Sequence, residues 1–356
     1  MADPRVGFVT GLSSWWRLNG LRLKYYRMRA ERVVYPDVYC LTTFLTNRFR
    51  FLRDGERVRV ADYDMLIGEL NADDSQLAYL EQLVTRELPP LALVPGAPEV
   101  LTSRVDGTRL ERVVTIARRA RWCLAFSPDV KPFYDRLIGE DRAIVIPWPF
   151  DFQQVGRLAG HGGTRVDGRL RIVLDVPMRF VGVTQNDPVR LGEALRRVWE
   201  TQPVDVRARM TFHTFVYTSE DRACFEAANV FRGLPITIEP RMSYQAFIRF
   251  LSSVDAVVNL TASSLLGRVT FLSAALMKPG LFSDNSFLNR ALYPTSCIPL
   301  SDAEEVGRSV EELLDGLVQG RVADRFRPDI VEAERAGAFG ENARRFRELL
   351  GLPSFG

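Results

Sequence analysis

The sequence predicts an α/β protein of two domains, each a mainly parallel sheet with helices on its faces. Three observations carry that prediction. Short apolar, β-rich runs alternate with amphipathic helical stripes along the chain, which is the pattern of successive βαβ units. The 356 residues exceed what one ordinary core organises and suit two. Near the middle, Gly156, Gly160, Gly162, Gly163 and Gly168 crowd one segment and interrupt the alternation, as a linker does. The expected boundaries are a first domain over 1–150, a Gly-rich linker over 151–168, a second domain over 169–328, and a helical, Arg-rich segment over 329–356.

The elements follow in order. Arg5–Thr10 reads as a buried strand ending at Gly11, Met65–Leu70 as a second and Leu91–Val94 as a third, closed by Pro95-Gly96. Between the last two lie a polar loop, Asn71–Ser75, and a helix over Gln76–Glu87. Val113, Ile116, Ala117 and Ala120 share one helical face and lead into a strand over Trp122–Phe126. Val130, Phe133, Tyr134 and Leu137 mark a short helix, and Ala143–Ile146 closes the half as a strand. Past the glycines, Arg171–Val176, Arg209–Phe215, Ile236–Ile238, Ala256–Leu260, Gly280–Ser283 and Ser296–Leu300 read as strands. Leu191, Ala194, Leu195, Val198 and Trp199 form a helical stripe, and Ser301 with Glu304 forms a capping box ahead of Val306 and Val310. Two such arrays place a ligand at the carboxyl ends of strands, in the crevice where the domains meet.

Composition excludes several classes of function. The four cysteines, Cys40, Cys123, Cys224 and Cys297, have no short spacing, so neither a CxxC site nor a disulfide framework is indicated. The two histidines, His161 and His213, stand far apart, which argues against a multi-histidine zinc site. A net charge of +3 is too small to argue for nucleic acid or membrane binding by itself. The positive charge is carried by 44 Arg and 3 Lys; Arg suits phosphate recognition, while genome composition alone also produces such a bias. No apolar run reaches the roughly 20 residues that span a bilayer, and the N-terminus lacks a signal-peptide layout. A cytoplasmic protein is expected, needing neither cofactor nor metal.

Ser263–Asn285 carries the most chemistry. The strand Ala256–Leu260 ends in a small-residue loop, Thr261–Ser264, and Gly267-Arg268 opens a helix. Free N–H groups at a helix start, with a guanidinium beside them, form an anion site; the plainer reading is a βαβ crossover with polar turns. Phe282-Ser283-Asp284-Asn285 ends a second strand at the same edge.

These segments resemble the large retaining nucleotide-sugar glycosyltransferase family of the GT-B type. Leu110–Phe152 resembles the helix–strand–Ser–helix–strand–Pro…Asp element that ends its first domain, with Ser127, Pro147 and Asp151 at the matching places. Met242–Asp255 resembles its helix followed by Ala-Asp, and Ser263–Asp284 resembles its donor-binding signature. The resemblance covers about half the chain. It implies two Rossmann-like domains facing across a cleft, metal-independent transfer of a sugar from a nucleoside diphosphate, and donor contacts from Ser264, Gly267, Arg268, Asp284 and Asn285. Arg179 takes the place of an Arg that clamps the diphosphate.

The sequence also departs from that pattern. The two signature glutamates fall on Ser264 and Leu272, and the Gly of the Gly-x-Pro step is Met277. The second of those glutamates usually binds the nucleotide ribose. The family's Lys falls near Asn186 or Arg190, and Gly11-Leu12-Ser13-Ser14 replaces its Gly-Gly after the first strand.

For the acceptor side, Ser13, Ser14 and Trp15 follow the first strand, where a sugar or base stacks on an aromatic face; core packing is an equal reading of the tryptophan. Asp73, Asp74 or Glu69 supplies a base on the acceptor hydroxyl in an inverting enzyme, or the loop is simply a solvated turn. Asp62-Tyr63-Asp64 reads as a solvated approach to a strand. Arg17–Arg32 reads as a solvated basic helix, or as a peripheral contact with anionic lipid or nucleic acid. The acceptor is open among a lipid carrier, a glycan, a small molecule and a modified nucleic-acid base. A catalytically silent module binding a nucleotide, sugar or partner chain is the competing reading, supported by loss of both glutamates. A nucleotide-sugar epimerase is disfavoured by the shortage of histidine, and a Rossmann dehydrogenase by the missing G-x-G-x-x-G loop.

Overall fold

In the computed structural model the described residues are 3–9, 40–46, 48–52, 55–70, 74–86, 89–95, 98, 101–102, 106–160, 168–175, 188–215, 222–223, 226, 231–240, 242–260 and 268–353. They form two compact units, Met1–Asp151 with Ala338–Gly356, and Phe152–Gly337.

The first unit is a six-stranded sheet of order β2-β1-β3-β4-β5-β6, every pairing parallel. Its strands are β1 (Arg5–Val9), β2 (Arg48–Leu52), β3 (Met65–Glu69), β4 (Leu91–Val94), β5 (Trp122–Ala125) and β6 (Ala143–Val145). The first described helix is α1 (Cys40–Leu45). α2 (Asp74–Thr85), α3 (Gly107–Arg119) and α4 (Lys131–Ile138) follow. Parallel strands require cover on both faces. Leu77, Leu80, Val113, Ile116, Tyr134 and Ile138 of the latter three helices pack with Leu66, Leu91 and Cys123 on one face. α3 starts where the Asp106 carboxylate accepts a hydrogen bond from the Arg109 amide and carries Arg118 and Arg119 in its last turn, two features that favour a helix of this polarity. Asp64 accepts from the Arg5 amide at 2.7 Å and pairs with its guanidinium, so the Asp62–Asp64 segment fastens the start of β1.

The opposite face buries Val6, Phe8, Ile67 and Leu124 under α1 and the last helix of the chain. The second unit is a like sheet of order β12-β11-β10-β7-β8-β9, again parallel throughout. Its elements run α5 (Phe152–Ala159), β7 (Leu170–Leu174), α6 (Pro188–Thr201), α7 (Val204–Arg209), β8 (Met210–Phe215) and β9 (Ile236–Glu239). They continue as α8 (Tyr244–Ser252), β10 (Ala256–Asn259), α9 (Arg268–Ala275), β11 (Gly280–Ser283), α10 (Phe287–Leu292), β12 (Cys297–Ile298), α11 (Ala303–Val318) and α12 (Ile330–Ala336). Leu191, Leu195, Val310 and Leu314 of α6 and α11 pack with Ile172, Phe212 and Val258 on one face. Side chains alternate along a strand, so Val257 and Asn259 turn to the other face, where α5, α8 and α9 pack together. Gly280 is required at the start of β11: a Cβ there would stand 2.8 Å from the Val257 carbonyl oxygen of β10.

The structure corrects three expectations. Phe152–Ala159 of the expected linker is helix α5, because Gln154 and Val155 are buried and Phe152 packs at 5.0 Å on Phe271; that burial outweighs the cost of Gly156 within a helix, about 1 kcal/mol. Residues 161–167, with His161, lie outside the described residues. The C-terminal segment is not one piece. α12 belongs to the second unit, while α13 (Phe339–Leu349) belongs to the first. There Phe346 stacks on Phe44 at 5.7 Å. The fully buried Arg347 donates to the Leu45 carbonyl and pairs with Asp3 at 3.0 Å. Finally, the cap of α11 is Asp302, which accepts from the Glu304 and Glu305 amides, not Ser301; both residue types cap well, and the carboxylate one position on also meets the helix dipole. Among the described residues no helix is long and apolar enough to cross a membrane.

Helix α9 ends in a Schellman arrangement. The Lys278 amide donates to the Ser273 carbonyl and the Met277 amide to that of Ala274. This places Met277 in the left-handed region at φ 54°, the position where glycine is favoured. The Gly of the resembled Gly-x-Pro step is therefore a conformational requirement that Met277 meets under strain, at a cost of roughly 1 kcal/mol. Met277 is half exposed, so its side chain contributes little packing. Met277→Gly is expected to raise stability by up to ~1 kcal/mol, read as a rise of about 2 °C in melting temperature.

Candidate functional site

All six strands of the second sheet point the same way, so their carboxyl ends share one edge, the ligand-binding edge of open parallel sheets. At the centre of that edge Asn259 ends β10 and Asp175 follows β7. Register holds them side by side: Val258 pairs with Leu174, and the Asp175 amide donates to the Val258 carbonyl at 2.9 Å. The Asn259 Nδ2 donates to Asp175 Oδ2 at 3.1 Å. Asn259 is 2% exposed, and among the described residues its Oδ1 has no hydrogen-bond partner. A buried amide carbonyl left without a donor costs on the order of 1–3 kcal/mol, so a donor from a ligand or a water completes it.

One strand along, β11 runs into a turn at Asp284 and Asn285, both half-buried. The turn is fixed from two sides. The Asp284 amide donates to the Ile298 carbonyl at 3.0 Å, and the Asp284 carbonyl accepts from Arg290 of α10. Behind it, Thr270 of α9 donates its hydroxyl to Asn289 Oδ1 at 2.7 Å, and Asn289 Nδ2 donates to the Ser283 carbonyl at 2.9 Å. Thr270, Ser283 and Asn289 are fully buried. This bridge locks the first turn of α9 and the end of β11 to α10, setting two parts of the edge relative to each other. Burial pushes the nearby Cys297 thiol up to about 12, so it stays neutral at physiological pH. At the sheet's far side His213 is locked: its Nδ1 lies 2.7 Å from Glu239 Oε1, its Nε2 3.1 Å from the Thr211 hydroxyl, and its ring packs edge-on to Phe250.

Several expected site residues lie outside what the structure describes. Ser13, Ser14, Trp15, Asp73, Arg179, Ser264 and Gly267 are outside the described residues, as is the basic stretch Arg17–Arg32. Arg268 begins α9 and Glu69 ends β3, but their side chains are not described. Asp74 opens α2 and is gripped by the guanidinium of Arg109, at 3.2 and 2.8 Å, and by that of Arg112 at 3.2 Å. The hydrogen bonds from Arg109 hold its carboxyl below the usual carboxylate range. That makes it a weak proton acceptor and a tether between α2 and α3. Leu272, at the place of the second signature glutamate, is fully buried in α9. Asp284 and Asn285 do stand at the predicted edge. Sequence reasoning missed Asp175, Asn259, Thr270, Asn289 and Arg290; the available signal was a lone polar residue closing an otherwise apolar strand, as in Ala256-Val257-Val258-Asn259.

No protein-family model matches the sequence, and no curated protein matches it. Solved structures match it along nearly its whole length. Sucrose-phosphate synthase from Thermosynechococcus elongatus is 13% identical at a TM-score of 0.63, covering 98% of each chain. The HepE protein of Anabaena, in complex with UDP and glucose, is 12% identical at a TM-score of 0.64, covering 98% of this chain and 99% of that one. UDP-GlcNAc 2-epimerase from Neisseria meningitidis, bound to UDP-GlcNAc, is 9% identical at a TM-score of 0.53, covering 97% and 99%. The chain therefore has the two-domain α/β GT-B fold, divergent in sequence from these neighbours.

Removing the Asn289 side chain strands the Thr270 hydroxyl and the Ser283 carbonyl in the interior. Asn289→Ala is expected to cost ~2–4 kcal/mol of stability from the two orphaned groups, measured by chemical denaturation of the full chain.

Proposed function

We propose that the protein is a glycosyltransferase that takes its sugar from a nucleoside-diphosphate sugar bound at the carboxyl edge of the second sheet. The observation that supports this most is the polar, partly unpaired edge just described, set in a fold shared with proteins captured holding UDP or UDP-GlcNAc. In this reading Arg179, after β7, and Arg268 with the free N–H groups opening α9 meet the diphosphate. Ser264 and Gly267 lead into that helix start, and Asp284 and Asn285 line the neighbouring strand end. The acceptor oxygen bonds to the anomeric carbon as the bond from that carbon to the diphosphate oxygen breaks. The guanidiniums and helix start stabilise the departing charge, with no metal ion.

The first unit supplies the acceptor side through Ser13, Ser14 and Trp15. An inverting outcome sends the acceptor's proton to Asp73 or Glu69, because Asp74 is committed to Arg109 and Arg112; a retaining outcome needs no such base and passes the proton to the departing diphosphate oxygen. The acceptor falls among a lipid carrier, a glycan, a small molecule and a modified nucleic-acid base. One observation favours a second reading, a silent nucleotide-binding module: Leu272 is a core residue where the resembled family places a ribose-binding glutamate. An epimerase using His213 as a proton carrier is disfavoured because both its ring nitrogens are engaged, by Glu239 and by the Thr211 hydroxyl.

The test is thermal shift against a panel of nucleoside diphosphates and their sugars without metal. One nucleotide is expected to raise the melting temperature by a few degrees through mass action. Arg179→Ala and Arg268→Ala should each weaken that nucleotide by ~1.5–3 kcal/mol. Turnover of its sugar conjugate separates the transferase from the silent module. No shift from any member of the panel would overturn both readings.

A further inference from the structure

We infer that Asn259 is a specificity-determining residue of the edge site, its side-chain carbonyl accepting a hydrogen bond from a hydroxyl of the bound nucleotide-sugar, with Asp175 as the residue that positions it. The inference rests on the nucleotide-sugar reading and deepens it.

β10 reads Ala256-Val257-Val258-Asn259, apolar until the position where a parallel strand meets its ligand. Hydrophobic side chains would satisfy the fold there; an amide adds two polar atoms that must find partners in the interior. Nδ2 has one in Asp175, while Oδ1, on a residue 2% exposed, has none among the described residues.

The orientation of the amide is fixed by chemistry. Rotating it by half a turn would aim the carbonyl oxygen at the Asp175 carboxylate, acceptor against acceptor. Oδ1 is therefore held as an acceptor, and only an O–H or N–H completes it. Phosphate oxygens at neutral pH offer no proton to such a group. The edge between β7 and β10 is thus assigned to the hydroxyl-bearing portion of a nucleotide-sugar and not to its diphosphate. Two hydroxyl sources share this chemistry, the transferred hexose and the nucleotide ribose; a base N–H, common to UDP-glucose, UDP and 2′-deoxy-UDP, is the alternative that equal binding would reveal. Among the described residues no other contact uses the Asn259 side chain: its backbone completes the strand and its amino group serves Asp175.

The experiment is titration calorimetry on the full-length wild type and Asn259→Leu with UDP-glucose, UDP and 2′-deoxy-UDP. Circular dichroism confirms that the variant is folded, and Asn259→Ser carries the same comparison if leucine is not tolerated. In the wild type, deleting the partner hydroxyl is expected to weaken binding about tenfold, the size of one hydrogen bond whose buried acceptor is left unpaired. A ribose 2′-hydroxyl shows that loss between UDP and 2′-deoxy-UDP; a hexose hydroxyl shows it as the part of the UDP-glucose/UDP difference that Asn259→Leu abolishes. In the variant the same difference should shrink to about twofold or less, a coupling that a purely structural role does not produce. Undiminished discrimination by the variant, an equal loss for all three ligands, or equal binding of all three by the wild type would overturn the inference. Wild type that binds none of the three removes the UDP-sugar reading beneath it and the inference together.

Discussion

The fold depends on one constraint: strands that all run parallel must be covered on both faces, and they deliver every carboxyl end to one edge. In the second unit this brings Asp175 and Asn259, 84 residues apart in sequence, into hydrogen-bonding contact. It also sets the Asp284–Asn285 turn on the same edge. The apolar layers of α6 and α11 on one side, and of α5, α8 and α9 on the other, leave that edge as the place where polar side chains gather. Chemistry is concentrated there because the sheet faces are occupied by packing.

The polar groups at the edge divide into two kinds. Thr270, Asn289 and the Ser283 carbonyl satisfy one another completely and are sealed from solvent; such a network contributes rigidity. Asn259 is half satisfied, held in orientation by Asp175 with one acceptor left over. A rigid frame around an unsatisfied acceptor is what preorganised recognition requires. In the first unit the corresponding role of polar contacts is structural: Asp74 ties α2 to α3, and Arg347 fastens α13 to the chain's beginning.

The strand alternation, the two sheets and most helices were legible because buried parallel strands are short apolar runs and their crossover helices carry clean stripes. β2 was not, since Arg48-Phe49-Arg50-Phe51 alternates as a half-exposed edge strand and lacks an apolar run. Glycine spacing misled at Phe152–Ala159, where tertiary burial overrode a weak local preference. The return of α13 to the first unit depends on Phe44–Phe346 stacking across almost the whole sequence, which no local pattern encodes. At the site, Asp284 and Asn285 were readable from a motif, whereas the Asp175–Asn259 pair required the strand register. The strain at Met277 became visible only as a backbone angle, although its departure from the Gly-x-Pro step was already a sequence signal.

The central claim is that a nucleotide-sugar binds the carboxyl edge of the second sheet. Hydrogen exchange of the full chain, with and without saturating UDP-glucose, tests it most directly. The account predicts protection concentrated at the end of β10, the start of α9 and the β11–α10 turn. Protection confined to the first unit, or to the amino ends of the second sheet's strands, would contradict it.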